Sequence, residues 1–436
     1  MNTYKILSLD GGGSWALIQA KVLLDLNREN GDIRGHELLR QFDMAIANSG
    51  GALVLACLCN DMKLSEIIAV FKDEDKRKQV FTRLTFLDKL KWRNLISVFT
   101  RALGPRYNTE KKLTGLQNLL KANDHLYQTR GRYIVDETLN DLPAIIGKPD
   151  LQIVIAGFDY FRQRVSFFRS NANSLTNQFS ANYFKISLGY AIHSSSNAPV
   201  NYFDAPAEVN ISLLTSIDNR KTWYWDGAVA GFNNPVLAGL IEAITNNYKD
   251  PKEYYILSIG TGAPSKAVLT DYKDSDNPVT RAIFKNNKDN PLAITDTSFG
   301  FTKDLTKLAK SILGDPPDSA SFIAYSILDP SLSNKANLIR INPCITPVKN
   351  IDGKYVTPSV YLNMKDGESK FLTLLEMDMD AVEDKQLDLI NEFCDKFIAS
   401  TDLNGITNQL IRGEEGKVHL GQLYYYIAKE KWLNCK

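Results

Sequence analysis

The first apolar run of the chain, residues 4–9, is short, rich in Ile and Leu, and stops at Asp10-Gly11-Gly12-Gly13. It predicts a buried strand ended by a turn. Residues 14–27 follow with Leu17, Ala20, Val22, Leu23, Leu24 and Leu26 on one broad apolar face, the pattern of a helix. The order then repeats. Residues 42–46 predict a second buried strand, Asn48-Ser49-Gly50-Gly51 a turn, and residues 52–58 a buried helix. Two strand–turn–helix units in succession open a sheet with helices packed on it. Further on, 151–156 and 165–168 predict two strands of a hairpin, and 222–225 a strand running into Asp226-Gly227. Residues 235–248 read as a helix capped by Asn233 or Asn234, with Pro235 near its first turn. Residues 254–259 form a strong buried strand ending in Gly260-Thr261-Gly262, and 337–341 one more. The C-terminal part reads as helical over 382–399, 403–412 and 420–432, and the polar, charged stretch 265–295 predicts a mobile loop.

Composition narrows the function classes. The chain has 436 residues, 44% of them hydrophobic, enough for one large α/β domain or two ordinary ones. A net charge of +1 gives no global pull toward nucleic acid, so no nucleic-acid partner is expected. The five cysteines, Cys57, Cys59, Cys344, Cys394 and Cys435, are scattered, without paired spacing or a nearby histidine. Zinc is not expected, and a reducing compartment fits. The N-terminus enters a strand at once, with no signal-peptide pattern, and no apolar run approaches the ~18 residues of a membrane span. A cytoplasmic location is the expectation.

Three short segments carry candidate chemistry. Gly11-Gly12-Gly13-Ser14-Trp15-Ala16 lies between a strand and a helix and fits the G-x-G-x-x-[GA] dinucleotide fingerprint. The second strand, however, ends at Asn48-Ser49 without the carboxylate such a fingerprint wants. Three consecutive glycines also let backbone amides converge as a nest for an anion. Ser49, on a strand-to-helix turn, has two readings. It is a helix N-cap eased by glycines, or a nucleophile on a sharp elbow with the Gly50 amide as a further donor. Asp226-Gly227 after an apolar strand is an ordinary turn by itself. Combined at one sheet edge, the segments supply oxyanion donors (Gly11, Gly12, Gly13, Gly50), a nucleophile (Ser49) and a base (Asp226). A fourth stretch, 76–106, interleaves many Lys and Arg with apolar and aromatic residues around Lys89, Lys91, Trp92 and Arg93. It reads as a packed helix with a solvated basic face, or as an amphipathic helix lying on an anionic lipid surface or binding an anionic ligand.

The order Asp10-Gly11-Gly12-Gly13, Ala47-Asn48-Ser49-Gly50-Gly51, Asp226-Gly227-Ala228 resembles the patatin-like phospholipases. Ser195-Ser196-Asn197-Ala198-Pro199 with Phe203, Asn233-Asn234-Pro235, the Leu257-to-Gly262 strand and turn, and Met377-Asp378-Met379-Asp380 extend the likeness over roughly residues 4–400. The resemblance implies an α/β three-layer sandwich, a mostly parallel central sheet with helices on both faces, as a catalytic domain over 4–400 with a helical extension over 401–436 packed on it. It implies a lipid acyl hydrolase using a Ser49–Asp226 dyad without histidine or cofactor, on a lipid substrate met at a membrane surface. His193, in a Ser-rich stretch, reads as a polar loop residue. The family usually has Arg and Gly at the positions of Trp15 and Ala16, and Gly at that of Ala47. These departures motivate one alternative, a non-catalytic protein on this scaffold; two others are a nucleotide-binding α/β protein using the glycine run and an enzyme switched on by a small molecule or nucleotide, as in antiviral effectors of the family. Oligomeric state is not legible.

Overall fold

The computed structural model of the chain describes residues 3–85, 88, 104–171, 185–210, 221–246, 253–264, 267–268, 292–294, 316–351, 355–401, 405–412 and 418–435. Its centre is an eight-stranded sheet. The strands are β1 (Thr3–Leu9), β2 (Met44–Ala47), β3 (Gln152–Asp159), β4 (Arg164–Arg169), β5 (Ala207–Asn210), β6 (Lys221–Asp226), β7 (Glu253–Ile259) and β8 (Leu338–Ile341), in the order β8-β7-β1-β2-β3-β6-β5 with β4 also paired to β3. From β8 to β3 the pairing is parallel; β4 and β6 run antiparallel to β3, and β5 antiparallel to β6. All four residues of β2 are buried, as expected of a parallel strand covered on both faces.

The period-two alternation of these strands sorts the core into two layers. Leu7, Leu9, Ala45, Ala47, Ile153 and Ile155 point to one side. There they meet helices α1 (Leu17–Leu26), α2 (Ser49–Cys59) and α3 (Leu64–Lys72). α4 (Glu74–Val80), α5 (Thr109–Ala122) and α6 (Leu188–Ser195) continue this layer. Ile6, Met44, Ile46, Val154 and Ile256 point the other way, onto α7 (Val236–Thr245) and α8 (Pro316–Leu328). The fold is therefore a mostly parallel sheet with helices on both faces. Near the C-terminus, α9 (Gly367–Glu376), α10 (Asp384–Ala399) and α11 (Tyr425–Leu433) complete the helical part.

Some expectations need correction. The segment 403–412 is not a helix where it is described. Ile411–Arg412 pairs antiparallel with His419–Leu420, and Asn408 ties the chain to the end of β8 by donating to the Arg340 carbonyl at 2.6 Å and accepting from the Asn342 amide at 2.7 Å. Apolar spacing there follows docking against a sheet edge, not a helical period. The helix foreseen over 420–432 begins only at Tyr425. Most of 265–295 lies outside the described residues, as do Lys89, Lys91, Trp92 and Arg93. The flanks of the basic stretch are pinned to the protein. Arg77 is buried and donates to the carbonyls of Phe71 and Val382 and to Asp384, and Arg106 pairs with Asp378 and Asp380. Among the described residues no helix is long and apolar enough to cross a membrane.

Candidate active site

Sheet register brings two distant segments together. Ala47, the last residue of β2, lies opposite Ile155 of β3, and Asp226, the last residue of β6, lies opposite Gly157. Ile155 and Gly157 both pair with β4 on their other side, so β2 and β6 share one flank of β3, end to end. The chain leaving β2 through Asn48 and Ser49 therefore emerges against Asp226. Asn48 donates its side-chain amide to Asp226 Oδ1 at 2.9 Å, and the Ala228 amide donates to the same oxygen at 2.9 Å; the Ser49 side chain stands near enough to the carboxylate to pull its pKa down.

Ser49 is the first residue of α2 and not its cap; Asn48 holds the cap position, and its side chain does not cap. Ser49 has a φ of 50°, in the left-handed region that a residue with a Cβ enters only when its surroundings hold it there. Its amide donates to Ser195 Oγ at 3.0 Å, and that hydroxyl donates to Asn48 Oδ1 at 3.3 Å. Asn48 thus joins the serine turn, the aspartate and the end of α6. The next residue has to be glycine for space: a Cβ at Gly50 would stand 2.8 Å from the Gly13 nitrogen and 3.1 Å from the Ala16 methyl.

The glycine turn after β1 departs from expectation at Gly11. Its amide already donates to the Asn233 carbonyl at 2.8 Å, so it is not available to an oxyanion. Among the described residues the amides of Gly12, Gly13 and Gly50 have no acceptor. Gly13 takes a φ of 56°, and the Ser14 amide beyond it donates to the Met379 carbonyl at 3.0 Å, which fixes the turn from outside. Asp10 is not part of the reactive group. Arg340 grips it bidentately, at 2.9 Å to Oδ1 and 2.5 Å to Oδ2, and also reaches Ser258 Oγ at 2.9 Å.

Burial sets the electrostatics. Asp226 is 2% exposed; desolvation pushes its pKa above the ordinary carboxylate value, against the lowering pull of its hydrogen bonds and of Lys112. Lys112, on α5, is fully buried. It donates to the His193 carbonyl at 2.9 Å and to Asn197 Oδ1 at 3.3 Å, and lies 4.4 Å from the Phe203 ring centre. Desolvation pulls its pKa far below the ordinary lysine value. His193 is on helix α6 and not in a loop; it is 2% exposed, its Nδ1 has no partner among the described residues, and burial and then Lys112 depress its pKa. It makes no hydrogen bond to Ser49 or Asp226.

Ser49, Gly13 and Gly50 open onto a cavity. Its walls are chiefly apolar: Leu53, Val70, Phe71, Val80, Leu116 and Phe203, with Lys112 between them and Met379 and Asp380 at one side. Trp15 lines none of it. Its indole donates to the Asp378 carbonyl at 3.1 Å and packs against Gly262, so this departure from the family pattern holds the 378–380 segment in place and does not reshape the cavity. Ala47 is buried in β2 with its backbone paired on both sides.

The residues that sequence reasoning passed over are Asn48, Ser195 and Lys112. Lys112 had a signal: it occupies an apolar stripe with Leu116, Leu119 and Leu120, where a solvated lysine does not belong.

Comparison with known proteins comes from two directions. The family model for the patatin-like phospholipase matches residues 7–240. No curated protein matches the chain. Among solved structures, VipD from Legionella pneumophila is similar at 11% identity and a TM-score of 0.32, over 90% of this chain and 67% of that one. The type III effector ExoU is similar at 16% identity and a TM-score of 0.24, over 45% of this chain and 39% of that one. A chain of the SpcU–ExoU complex from Pseudomonas aeruginosa is similar at 11% identity and a TM-score of 0.24, over 73% of this chain and 53% of that one. The 7–240 match takes in more than half of the 436 residues and holds the glycine turn, the serine elbow and the aspartate turn alike; by that measure the chain belongs to the patatin-like phospholipase family of lipid acyl hydrolases.

Proposed function

We propose that the chain cleaves fatty acyl esters of phospholipids or related glycerolipids through an acyl-enzyme on Ser49, with Asp226 as the base and the amides of Gly12, Gly13 and Gly50 as the oxyanion site. The observation that carries the reading is a serine at a φ of 50°, beside a buried carboxylate whose pKa it lowers, at the wall of an apolar cavity. An apolar lining of this kind suits a hydrocarbon chain.

Asn48 and Ala228 both donate to Oδ1 of Asp226, which leaves Oδ2 to take the Ser49 proton. As that proton moves, Ser49 Oγ bonds the ester carbonyl carbon, and the carbonyl oxygen takes up negative charge facing the free amides. Loss of one such donor in a comparable site costs about 2.7–4 kcal/mol. Collapse breaks the ester C–O bond, and Asp226 returns the proton to the departing alkoxide. Water then enters; Asp226 takes one of its protons while the oxygen attacks the acyl carbon, Ser49 Oγ leaves and is reprotonated, and the free fatty acid departs. An aspartate at its ordinary pKa of about 3.9 is a weak base. The desolvation that raises the pKa of Asp226 makes it a stronger one.

The lipid substrate resides in bilayers, so the proposed reaction takes place with the chain in peripheral contact with a membrane. The test is fatty acid release, read by mass spectrometry from mixed phospholipid and galactolipid vesicles, together with fluorophosphonate labelling. Wild-type protein releases acid and is labelled at Ser49; Ser49→Ala does neither. Equal release by both proteins refutes the assignment.

A further inference from the structure

Helix α5 carries a lysine that the reaction scheme above does not use. Lys112 is 0% exposed on the face that also buries Leu116, Leu119 and Leu120, and it borders the same cavity as Ser49. A buried lysine is retained against its desolvation only where partners compensate it. Here each direction of the amine is occupied: the His193 carbonyl, Asn197 Oδ1 and the face of the Phe203 ring. The Asn197 amide group is oriented for this, since its nitrogen donates to the Ala205 carbonyl at 2.7 Å and its oxygen is left to accept.

Both acceptors belong to the turn 193–197 at the end of α6, and that turn holds the two proposed reacting groups. Its Ser195 hydroxyl accepts the Ser49 amide at 3.0 Å, and the Asn197 carbonyl accepts the Asp226 amide at 3.0 Å. We propose that Lys112 is a positioning residue for this site: it ties the 193–197 turn that places Ser49 and Asp226. The proposal rests on the Ser49–Asp226 reading.

The experiment compares wild type, Lys112→Met, which removes both tether and charge, and Lys112→Gln, which keeps hydrogen-bond donors but not the charge. Two readouts are taken: turnover of a short-chain phosphatidylcholine, and the rate of fluorophosphonate labelling of Ser49. Lys112→Met loses about 10²-fold in kcat with KM little changed, as for a misplaced reacting pair, labelling slows in parallel, and Lys112→Gln, which again offers donors to the 193–197 turn, regains part of both. A folded Lys112→Met with wild-type kcat and labelling, or one that Lys112→Gln does not improve on, overturns the proposal. Should Lys112→Met not fold, Lys112→Gln and Asn197→Ala, which removes an acceptor of the amine and leaves the lysine, must each lower kcat at unchanged KM or the tether is refuted. The parent reading fails separately: Ser49→Ala would then keep its turnover and labelling, and no lysine variant changes that result.

Discussion

Asp10-Gly11 and Asp226-Gly227 are the same dipeptide at the ends of two strands of one sheet, and both carboxylates are almost fully buried. Their partners differ. Asp10 is closed off by the Arg340 guanidinium, two parallel charge-assisted bonds that occupy both oxygens. Asp226 meets neutral donors on one oxygen and has the Ser49 side chain beside it. Burial raises the pKa of both, but at Asp10 the opposing influence is a fixed positive charge in contact. A carboxylate saturated by arginine is a strut; one held by amides in a dry pocket retains its basicity. The motif is shared, and the neighbour supplied by a remote segment decides between the two roles.

The largest expected effects would break this contrast outright. Asp226→Asn should lower fatty acid release by at least about 10³-fold, as Ser49→Ala does, with a melting temperature no lower than wild type, because Asn keeps an acceptor and removes a buried charge. Asp10→Asn should do the reverse. It strands Arg340 without its counter-charge at a cost of about 3–5 kcal/mol in chemical denaturation, and activity follows only the folded fraction. An Asp10→Asn protein as stable as wild type would erase the distinction. Next comes Asn48→Leu, which cuts the tie between the serine turn and Asp226 and leaves the Asp10 side intact; a drop of about 10²-fold in kcat with KM nearly constant is expected from steady-state kinetics.

Acidity gives a finer discrimination. The folded-state pKa of Asp226 is raised, so falling pH protonates the base early, and kcat/KM should decline at a pH above the ordinary aspartate value of about 3.9. The same shift has a consequence for stability. A raised carboxyl favours the folded state while protonated and loses that contribution as pH rises through its folded pKa. The melting temperature of Asp226→Asn should therefore gain on wild type with rising pH through that region, and a constant difference would show that Asp226 titrates normally. The smallest effect is expected at Trp15→Phe. It removes the single indole bond to the Asp378 carbonyl, about 1 kcal/mol of stability by thermal melt, and leaves kcat unchanged.

Much of this architecture was legible from local pattern. The apolar runs of β1, β2, β7 and β8 and the glycine breaks behind β1 and β2 fixed the strand–turn–helix opening, because a parallel strand buried on both faces has to be continuously apolar. Ser49, Asp226 and the glycine nest were readable as types at turns. Gly11 was misjudged because nothing local reveals that Asn233, more than two hundred residues away, takes its amide. His193 was misjudged because a short polar run looks like a loop until a helix is packed over it. The 403–412 segment was misjudged because apolar spacing does not distinguish a helix face from a chain docked along a strand edge.

What the sequence determined by itself is the set of elements and the residue types at their ends, since both follow from short-range sterics and the period of burial. Only the tertiary structure decided which end faces which. β2 and β6 lie end to end along one flank of β3, which sets Ser49 against Asp226; the pairing of β1 and β8 with β7 brings Arg340 to Asp10, and the packing of α5 buries Lys112 beneath the turn that holds the pair. Such pairings depend on strand order and on charges brought out of water together, and residues far apart in the chain carry no mark of either until the sheet has formed.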